Sequence, residues 1–599
     1  MKKKYFGFIS AQAGRPFLLA IFIMVTLGLA LALTLAGSRP VSASGAPAFA
    51  SKPSASYPYS YLPASTLRYS SSAAMDLWPS IMRLASEPFS SGHHYPYIAA
   101  SLSISGSSWC SPASTSFSVS YSASAAADSD LAPALSAPAP SSPYSPEEFV
   151  RRRLALMELV ASSNLSATAN PAASPGSASG STATPTTVAA PTPATTNSLI
   201  ILFAAPSHTI PAGHFRQDND FYYFTGCEDA DAVLVMMPAS KDAMLFVPEK
   251  SAGEKSFEGP NSLDDPTAKE RLQVRSIMPL SSFDEFLARL TSRPQPVLYL
   301  RLSPADTVSD ARYESALFQA RRARNPYNAE LSLDQFRADR LRRLYPSARF
   351  EDVTPLIDSL RMIKSPEEIA VLRRNGQISA EAVKRAMLAT RPTAYEYELE
   401  AAAMEVLLRN GCRGPAFAPI IGSGPNTCIM HYERNNRQMQ AGELVLMDFG
   451  GDLNYLTMDI TRTWPVSGKF TAEQKKIYRT VLEVQKACLE AFKPGVTSKD
   501  VNDYVVRRLK EKGIDPMGLR GGLGHLVGMC VHDVQTAPGP FVLKEGMVMA
   551  IEPALYFPDK NLGIRIEDTV LITKDGCDVL TAGVPKEIEE IESLLKKGT

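Results

Sequence analysis

With 599 residues and 45% hydrophobic side chains, the chain is long enough for two or three domains with proper cores. Its 61 basic residues balance 61 acidic ones, so no bulk field argues for nucleic acid as a partner. The seven cysteines (Cys110, Cys227, Cys412, Cys428, Cys488, Cys530 and Cys577) are scattered, odd in number and free of any CxxC, which is neither a zinc ribbon nor a disulfide framework.

Lys2, Lys3 and Lys4 precede PFLLAIFIMVTLGLALALTLAG, an uncharged run from Pro16 to Gly37 that is long enough to span a bilayer. Residues 1–40 read as a transmembrane anchor or a signal peptide, with small-residue stretches such as VSASGAPAFA available for cleavage. Nothing beside the run covers the faces of a buried soluble helix. With the lysines held inside, the rest of the chain is expected outside the cytoplasm: anchored and facing outward if the segment stays, secreted or periplasmic if it is removed. Residues 41–145 are rich in Ser, Ala and Pro, and residues 1–145 hold only twelve charged side chains. No period of 2 or 3.6 is sustained there, so this stretch is expected to be a low-complexity stalk.

Order is expected from SPEEFVRRRLALMELV, where Ser145 is the N-cap, Pro146 the first helical residue and Glu148 the capping-box partner. Residues 161–197 form an uncharged Ala/Ser/Thr/Pro tract that reads as a disordered insert. The apolar runs LIILFAA, FYYF, AVLVMM, AMLFV and VLYL follow, alternating with helical stretches at Phe283–Leu290 and Ala311–Arg324. That order predicts an α/β domain over residues 146–352. KSPEEIAVLRR repeats the cap with Ser365, Pro366 and Glu368, early in a second domain over 353–599. Helices are expected at Ala380–Thr390 and Glu396–Asn410, and a strand-rich block from Phe417. Helices at Ala472–Phe492 and Lys499–Lys512 come next, then strands from Met547 to Ile572. Helices followed by strands occur twice, which fits an α+β domain of two related halves.

Carboxylates interrupt this second domain where apolar strands would place them inside. LVLMDFG puts Leu444, Leu446 and Asp448 on one face, and NYLTMDITRT does the same for Tyr455, Thr457, Asp459 and Thr461. The intervening GGD is expected to reverse the chain and pair the two strands antiparallel. Glu552 ends an apolar strand at Pro553, and Glu567 is expected to share a strand face with Arg565 and Thr569. His525 lies in the glycine-rich GGLGHLVGMCVHD, where the backbone can approach closely. Like charges about 4 Å apart repel by roughly 4 kcal/mol at an effective dielectric near 20, so four converging carboxylates require counter-charge. Two divalent cations supply it. Oxygen donors with one imidazole favour Mn, Co, Fe or Zn over a thiolate-seeking metal, and such a pair activates water and polarises a carbonyl.

Asp448, Asp459, His525, Glu552 and Glu567, in this order and context, resemble the five metal ligands of the pita-bread metallopeptidase family. HYERN, DITRTWPVSGKF, VHDV, IEDTV and, upstream, RQDNDFYYFTG are similar to the aminopeptidase P and prolidase branches. The resemblance implies a C-terminal pita-bread fold of two α/β halves behind a smaller α/β domain, and hydrolysis of the bond between an N-terminal residue and proline. It implies two divalent ions, Mn2+ first, with Co2+, Zn2+ or Fe2+ as alternatives. Asp448 would bind one metal bidentately, Asp459 and Glu567 would bridge, and His525 and Glu552 would complete the other shell. A bridging hydroxide would attack the carbonyl before proline, with Glu552 as proton shuttle. His431 and His532 would contact substrate and steady the tetrahedral intermediate, while Arg565 would support the bridging carboxylates. Gly521 stands where the family usually has a histidine near the proline pocket, which touches proline selectivity rather than metal binding. A homodimer or tetramer is expected, with proline-containing peptides as substrates. The competing readings are a prolidase confined to dipeptides, a non-catalytic binding protein of the same fold, and a metal-free creatinase-like hydrolase; the complete ligand set speaks against the last two.

Overall fold

The computed structural model describes residues 142–168, 197–207, 214–328, 331–511, 513, 524–534 and 541–598, all within the compact unit Asp130–Thr599. The apolar segment of residues 1–40, nearly all of the stalk, most of the insert and Gly521 lie outside them. Among the described residues no helix is long and apolar enough to cross a membrane.

Helix α1 (Pro146–Thr168) opens the N-terminal domain, followed by β1 (Ser198–Phe203), α2 (Asn219–Thr225), β2 (Val233–Met237) and β3 (Asp242–Val247). Then come α3 (Ala252–Glu258), α4 (Ala268–Leu272), β4 (Ser276–Pro279), α5 (Phe283–Thr291), β5 (Val297–Leu300), α6 (Arg312–Arg322), α7 (Leu333–Leu344) and β6 (Arg349–Asp352). The six strands form one mixed sheet in the order β4-β3-β2-β1-β5-β6. In β1, Leu199 and Ile201 join the core of Phe283, Leu287 and Leu341 from α5 and α7. Ile200 and Leu202 join the opposite core with Leu156 and Phe221. Alternation along one strand thus places helices on both faces.

Local chemistry corrects three expectations here. FYYF is helical, not a strand: Asp218 accepts from the Phe221 N–H to cap α2, and Gly226 ends it at φ 63° with its N–H on the Tyr222 carbonyl. An apolar run that short carries no usable period, so the caps decide. Helix α1 runs on to Thr168, seven residues past Ala161, because no proline or glycine stops it before Pro171. Its capping box is only half made. Ser145 Oγ accepts from the Glu148 N–H, but the Ser145 N–H donates to Glu367 and the Glu148 carboxylate goes to Arg151 and Arg152. The second cap is complete, with Ser365 and Glu368 exchanging both bonds.

The C-terminal domain begins with α8 (Thr354–Met362), α9 (Pro366–Ala389) and α10 (Glu396–Arg409), α9 being one continuous helix. Strands β7 (Gly414–Pro415), β8 (Ile420–Ser423), β9 (Leu444–Phe449), β10 (Gly451–Leu453), β11 (Leu456–Thr457) and β12 (Ile460–Pro465) complete the first half. The second half has α11 (Ala472–Ala491), α12 (Ser498–Glu511), β13 (Val548–Ile551), β14 (Ala554–Phe557), β15 (Leu562–Arg565), β16 (Asp568–Ile572) and β17 (Cys577–Val579), closed by α13 (Ile588–Gly598). Helices followed by strands appear twice, three helices in the first half and two in the second, as the sequence order implies. Buried Tyr455 ties the domains together: its ring stacks on Tyr222 at 3.5 Å between centroids, and its hydroxyl accepts from the Gln217 N–H and donates to Glu228.

Gly376 lies in the interior of α9, where a Cβ would come within 2.3 Å of the Leu580 carbonyl oxygen. Helix propensity alone would reward Gly376→Ala by about 1 kcal/mol. The contact reverses the sign, and we expect a net loss of roughly 1–3 kcal/mol. A thermal melt checks this: a raised midpoint would show that the two elements can separate at no cost.

Candidate metal centre

Strands β9 and β12 pair antiparallel with Asp448 opposite Thr461 and Phe449 opposite Ile460. The reversal between them is not at Gly-Gly-Asp. The chain continues through β10 and turns at Asn454 and Tyr455, both at positive φ (50° and 68°), before β11. Gly450 instead permits a close approach, because a Cβ there would strike the Met458 carbonyl. Asp459 falls in the gap between β11 and β12, Glu567 in the gap between β15 and β16, and Glu552 just past β13. Asp448 alone sits inside a strand, so Glu567 does not continue the strand face of Arg565 as alternation implied. A chain leaving its ladder can turn a carboxylate inward without spending a sheet partner.

Threonines hold these breaks in place. Thr569 Oγ1 accepts from the Asp459 N–H and donates to the Asp459 carbonyl, while the Glu567 N–H donates to the Thr461 carbonyl. Thr461 Oγ1 donates to Glu567 Oε2 at 2.6 Å. Gly524, at φ 130°, lies where a Cβ would collide with the Ala550 carbonyl, which lets His525 accept from the Ala550 N–H and sit beside β13. The His525 Nδ1 donates to the Leu526 carbonyl at 3.1 Å, since a carbonyl can only accept. Its Nε2 lone pair therefore faces Asp459 Oδ2 at 3.4 Å and Glu552 Oε1 at 3.8 Å.

Acceptors thus face acceptors. Among the described residues, Asp448 Oδ1, Asp459 Oδ1 and Glu567 Oε1 are buried without a hydrogen-bond donor, and ligand atoms of Asp459, His525 and Glu567 lie within 4.8 Å of one another. Burial, then the charges of Asp448 and Glu552, push the Asp459 carboxyl far above the usual carboxylate range. Burial, then Asp459, Asp448 and Glu552, do the same to Glu567. Asp568, one residue on and fully buried, shows what a structural carboxylate looks like: it accepts from Arg462, Thr581, Gln485 and Lys586. Burial works against its charge, but Arg462 and Lys586 hold its carboxyl below the ordinary value. Orphaned oxygens and an imidazole lone pair converging on one space fit hard or borderline divalent cations.

Arg565 meets this cluster differently from the expectation. Its guanidinium donates to Asp448 Oδ2 at 2.5 Å, to Thr461 Oγ1 and to the Tyr556 hydroxyl, each of the latter at 2.9 Å. It reaches Glu567 only through Thr461, and no hydrogen bond joins it to Asp459. His431 and His532 both line the cavity, and the His532 ring stands edge-on to His525 at 4.3 Å. Phe417, Ile420, Val531 and Ala554 give it apolar wall. No motif in the sequence marks Ser309 and Asp310, which bring the N-terminal domain into the same cavity, or Glu314, which holds His532. A loop ahead of a helix, more than 200 residues from His532, carries no local signal of that placement.

The pattern of metallopeptidase family M24 matches residues 370–574, and that of the aminopeptidase P N-terminal domain matches residues 149–299. The chain is 35% identical over 432 residues to the Xaa-Pro aminopeptidase of Escherichia coli strain K12, spanning 66% of this chain and 93% of that protein. It is 31% identical over 422 residues to the mitochondrial intermediate cleaving peptidase 55 of Arabidopsis thaliana, spanning 67% and 79%. Zinc-substituted E. coli aminopeptidase P in complex with product superposes with a TM-score of 0.59 at 31% identity, over 76% of this chain and 99% of that one. These matches run through both domains and through the elements that carry the five clustered side chains. The chain therefore belongs to metallopeptidase family M24, in its Xaa-Pro aminopeptidase branch.

Proposed function

We propose that this metal-dependent peptidase removes the N-terminal residue ahead of proline, with two ions, Mn2+ first, held by Asp448, Asp459, His525, Glu552 and Glu567. The observation that carries the reading is the set of three buried oxygens on Asp448, Asp459 and Glu567 that find no donor among the described residues, with ligand atoms of Asp459 and Glu567 within 4.8 Å of His525. When bound, divalent ions lower the pKa of a water and polarise the scissile carbonyl. The protein's own groups do the rest. Asp459 and Glu567, nearly out of solvent, fix the centre, and Arg565 with Thr461 keeps Asp448 and Glu567 oriented. Glu552 is a third exposed, the most open of the five, and is the group placed to carry a proton toward the leaving amine. His431 and His532 line the cavity where the substrate backbone would lie, with imidazole nitrogens able to hold its carbonyl oxygens.

The same proposal includes export or anchoring through Pro16–Gly37, supported by the sequence of that segment, and self-association through the N-terminal domain. Supporting the latter, Leu317 and Phe318 on α6 and Leu333 and Phe336 on α7 are 44–54% exposed.

A panel of proline peptides of increasing length tests the activity. Xaa-Pro-Xaa and longer peptides should lose their first residue, whereas turnover confined to dipeptides would move the chain to prolidase. Elemental analysis should find two divalent ions per chain, and chelation should abolish turnover until Mn2+ is restored. Asp459→Asn should cost about a hundred-fold or more in kcat/KM together with metal content; full activity without metal would end the reading. A Phe318→Glu/Phe336→Glu variant should sediment as a smaller species than wild type, and an unchanged mass would place any interface elsewhere.

A further inference from the structure

We propose that Glu314 of the N-terminal domain is a positioning residue for His532, fixing the proton on Nδ1 so that Nε2 is the ring nitrogen offered to substrate. His532 Nδ1 lies 2.9 Å from both Glu314 oxygens. A carboxylate only accepts, so Nδ1 is the donor and Nε2 is left for the cavity that His532 lines. A ring flip would set a carbon against Glu314 and take from the carboxylate its imidazole donor.

Glu314 is itself held independently of the histidine. As the third residue of α6 it reaches back to accept the Ala311 N–H on Oε2 at 2.8 Å, and the Tyr313 hydroxyl lies 3.3 Å from Oε1. The backbone on each side of His532 is also fixed. The Val531 N–H donates to the Val308 carbonyl at 2.9 Å, and Asp533 accepts from Arg361 and Lys364, each at 2.7 Å. With the loop pinned at both flanks, rotation of the imidazole is the freedom that remains, and Glu314 removes it. The N-terminal domain thus sets the orientation of a side chain that acts in the C-terminal one. The kinetic consequence rests on the peptidase reading above; the ring geometry does not.

The test uses the full chain, zinc-loaded and labelled with 15N at histidine, with the His532 signals identified by their loss in His532→Ala. Long-range 1H–15N spectra should show the Nδ1–H tautomer in wild type and in Glu314→Gln, whose amide oxygen still accepts. Glu314→Ala should lose it. Glu314→Asp keeps the charge at the helix start but falls short of the ring, so it should lose the tautomer too and carries the test if the alanine variant does not fold. On an Xaa-Pro tripeptide, Glu314→Ala should lower kcat/KM about ten-fold, mostly in kcat. The double variant with His532→Ala should be no slower than His532→Ala alone. An unchanged tautomer in both Glu314→Ala and Glu314→Asp, or losses that multiply in the double variant, would overturn the proposal. A wild-type protein with the expected spectra but no Xaa-Pro cleavage would overturn the peptidase reading and leave the positioning role standing.

Discussion

The structure turns on an imbalance of charge. Four carboxylates, from Asp448, Asp459, Glu552 and Glu567, converge where, among the described residues, Arg565 is the one lysine or arginine lining the cavity, and its guanidinium is taken up by Asp448, Thr461 and Tyr556. Proteins avoid such arrangements because buried like charges repel and drive protons onto the carboxylates. Here the surrounding fold insists on it: threonine hydroxyls and backbone amides pin Asp459 and Glu567 where strands break, and Arg565 holds Asp448 within β9. The deficit is what a divalent ion fills, and it distinguishes Glu567 from its neighbour Asp568, which has donors on every side.

A second set of buried charges does the opposite work. Asp220, at the start of α2, accepts from Arg301, Arg312 and Arg361, and Arg361 also reaches Asp306 and Asp533. Burial opposes the charge of Asp220, yet the three arginines hold its carboxyl far below the ordinary range. Such a network contributes little net stability over an apolar core, but losing one member costs about 3–5 kcal/mol. What it specifies is geometry, since the N-terminal domain is locked onto Asp533, the residue after His532. The two domains are joined by charge pairing at the wall of the cavity and by the Tyr222–Tyr455 stack farther along the interface.

Much of this was legible in the residues. Caps at Ser145 and Ser365, the helical stretches and the repeated helices-then-strands order all come from local propensity, which acts over a few residues. The five clustered side chains were recognisable because each interrupts an apolar run. The misreadings share a cause. FYYF looked like a strand because four residues hold no period, and the Gly-Gly-Asp reversal ignored the alternative turn at Asn454 and Tyr455. The strand continuity assumed around Asp459 and Glu567 failed because alternation describes a ladder, not the place where it breaks.

By itself the amino-acid order determined which elements form and which chemistry the chain carries, because capping, periodicity and residue type are local properties. Tertiary structure alone decided the partners: Arg565 on Asp448 across 117 residues, Glu314 on His532 across 218, and Thr461 as the link between Arg565 and Glu567. Those pairings depend on how strands of different sheets, and the two domains, close on one another. No short stretch of sequence records that geometry, since the energy that fixes it is spread over the whole packed core.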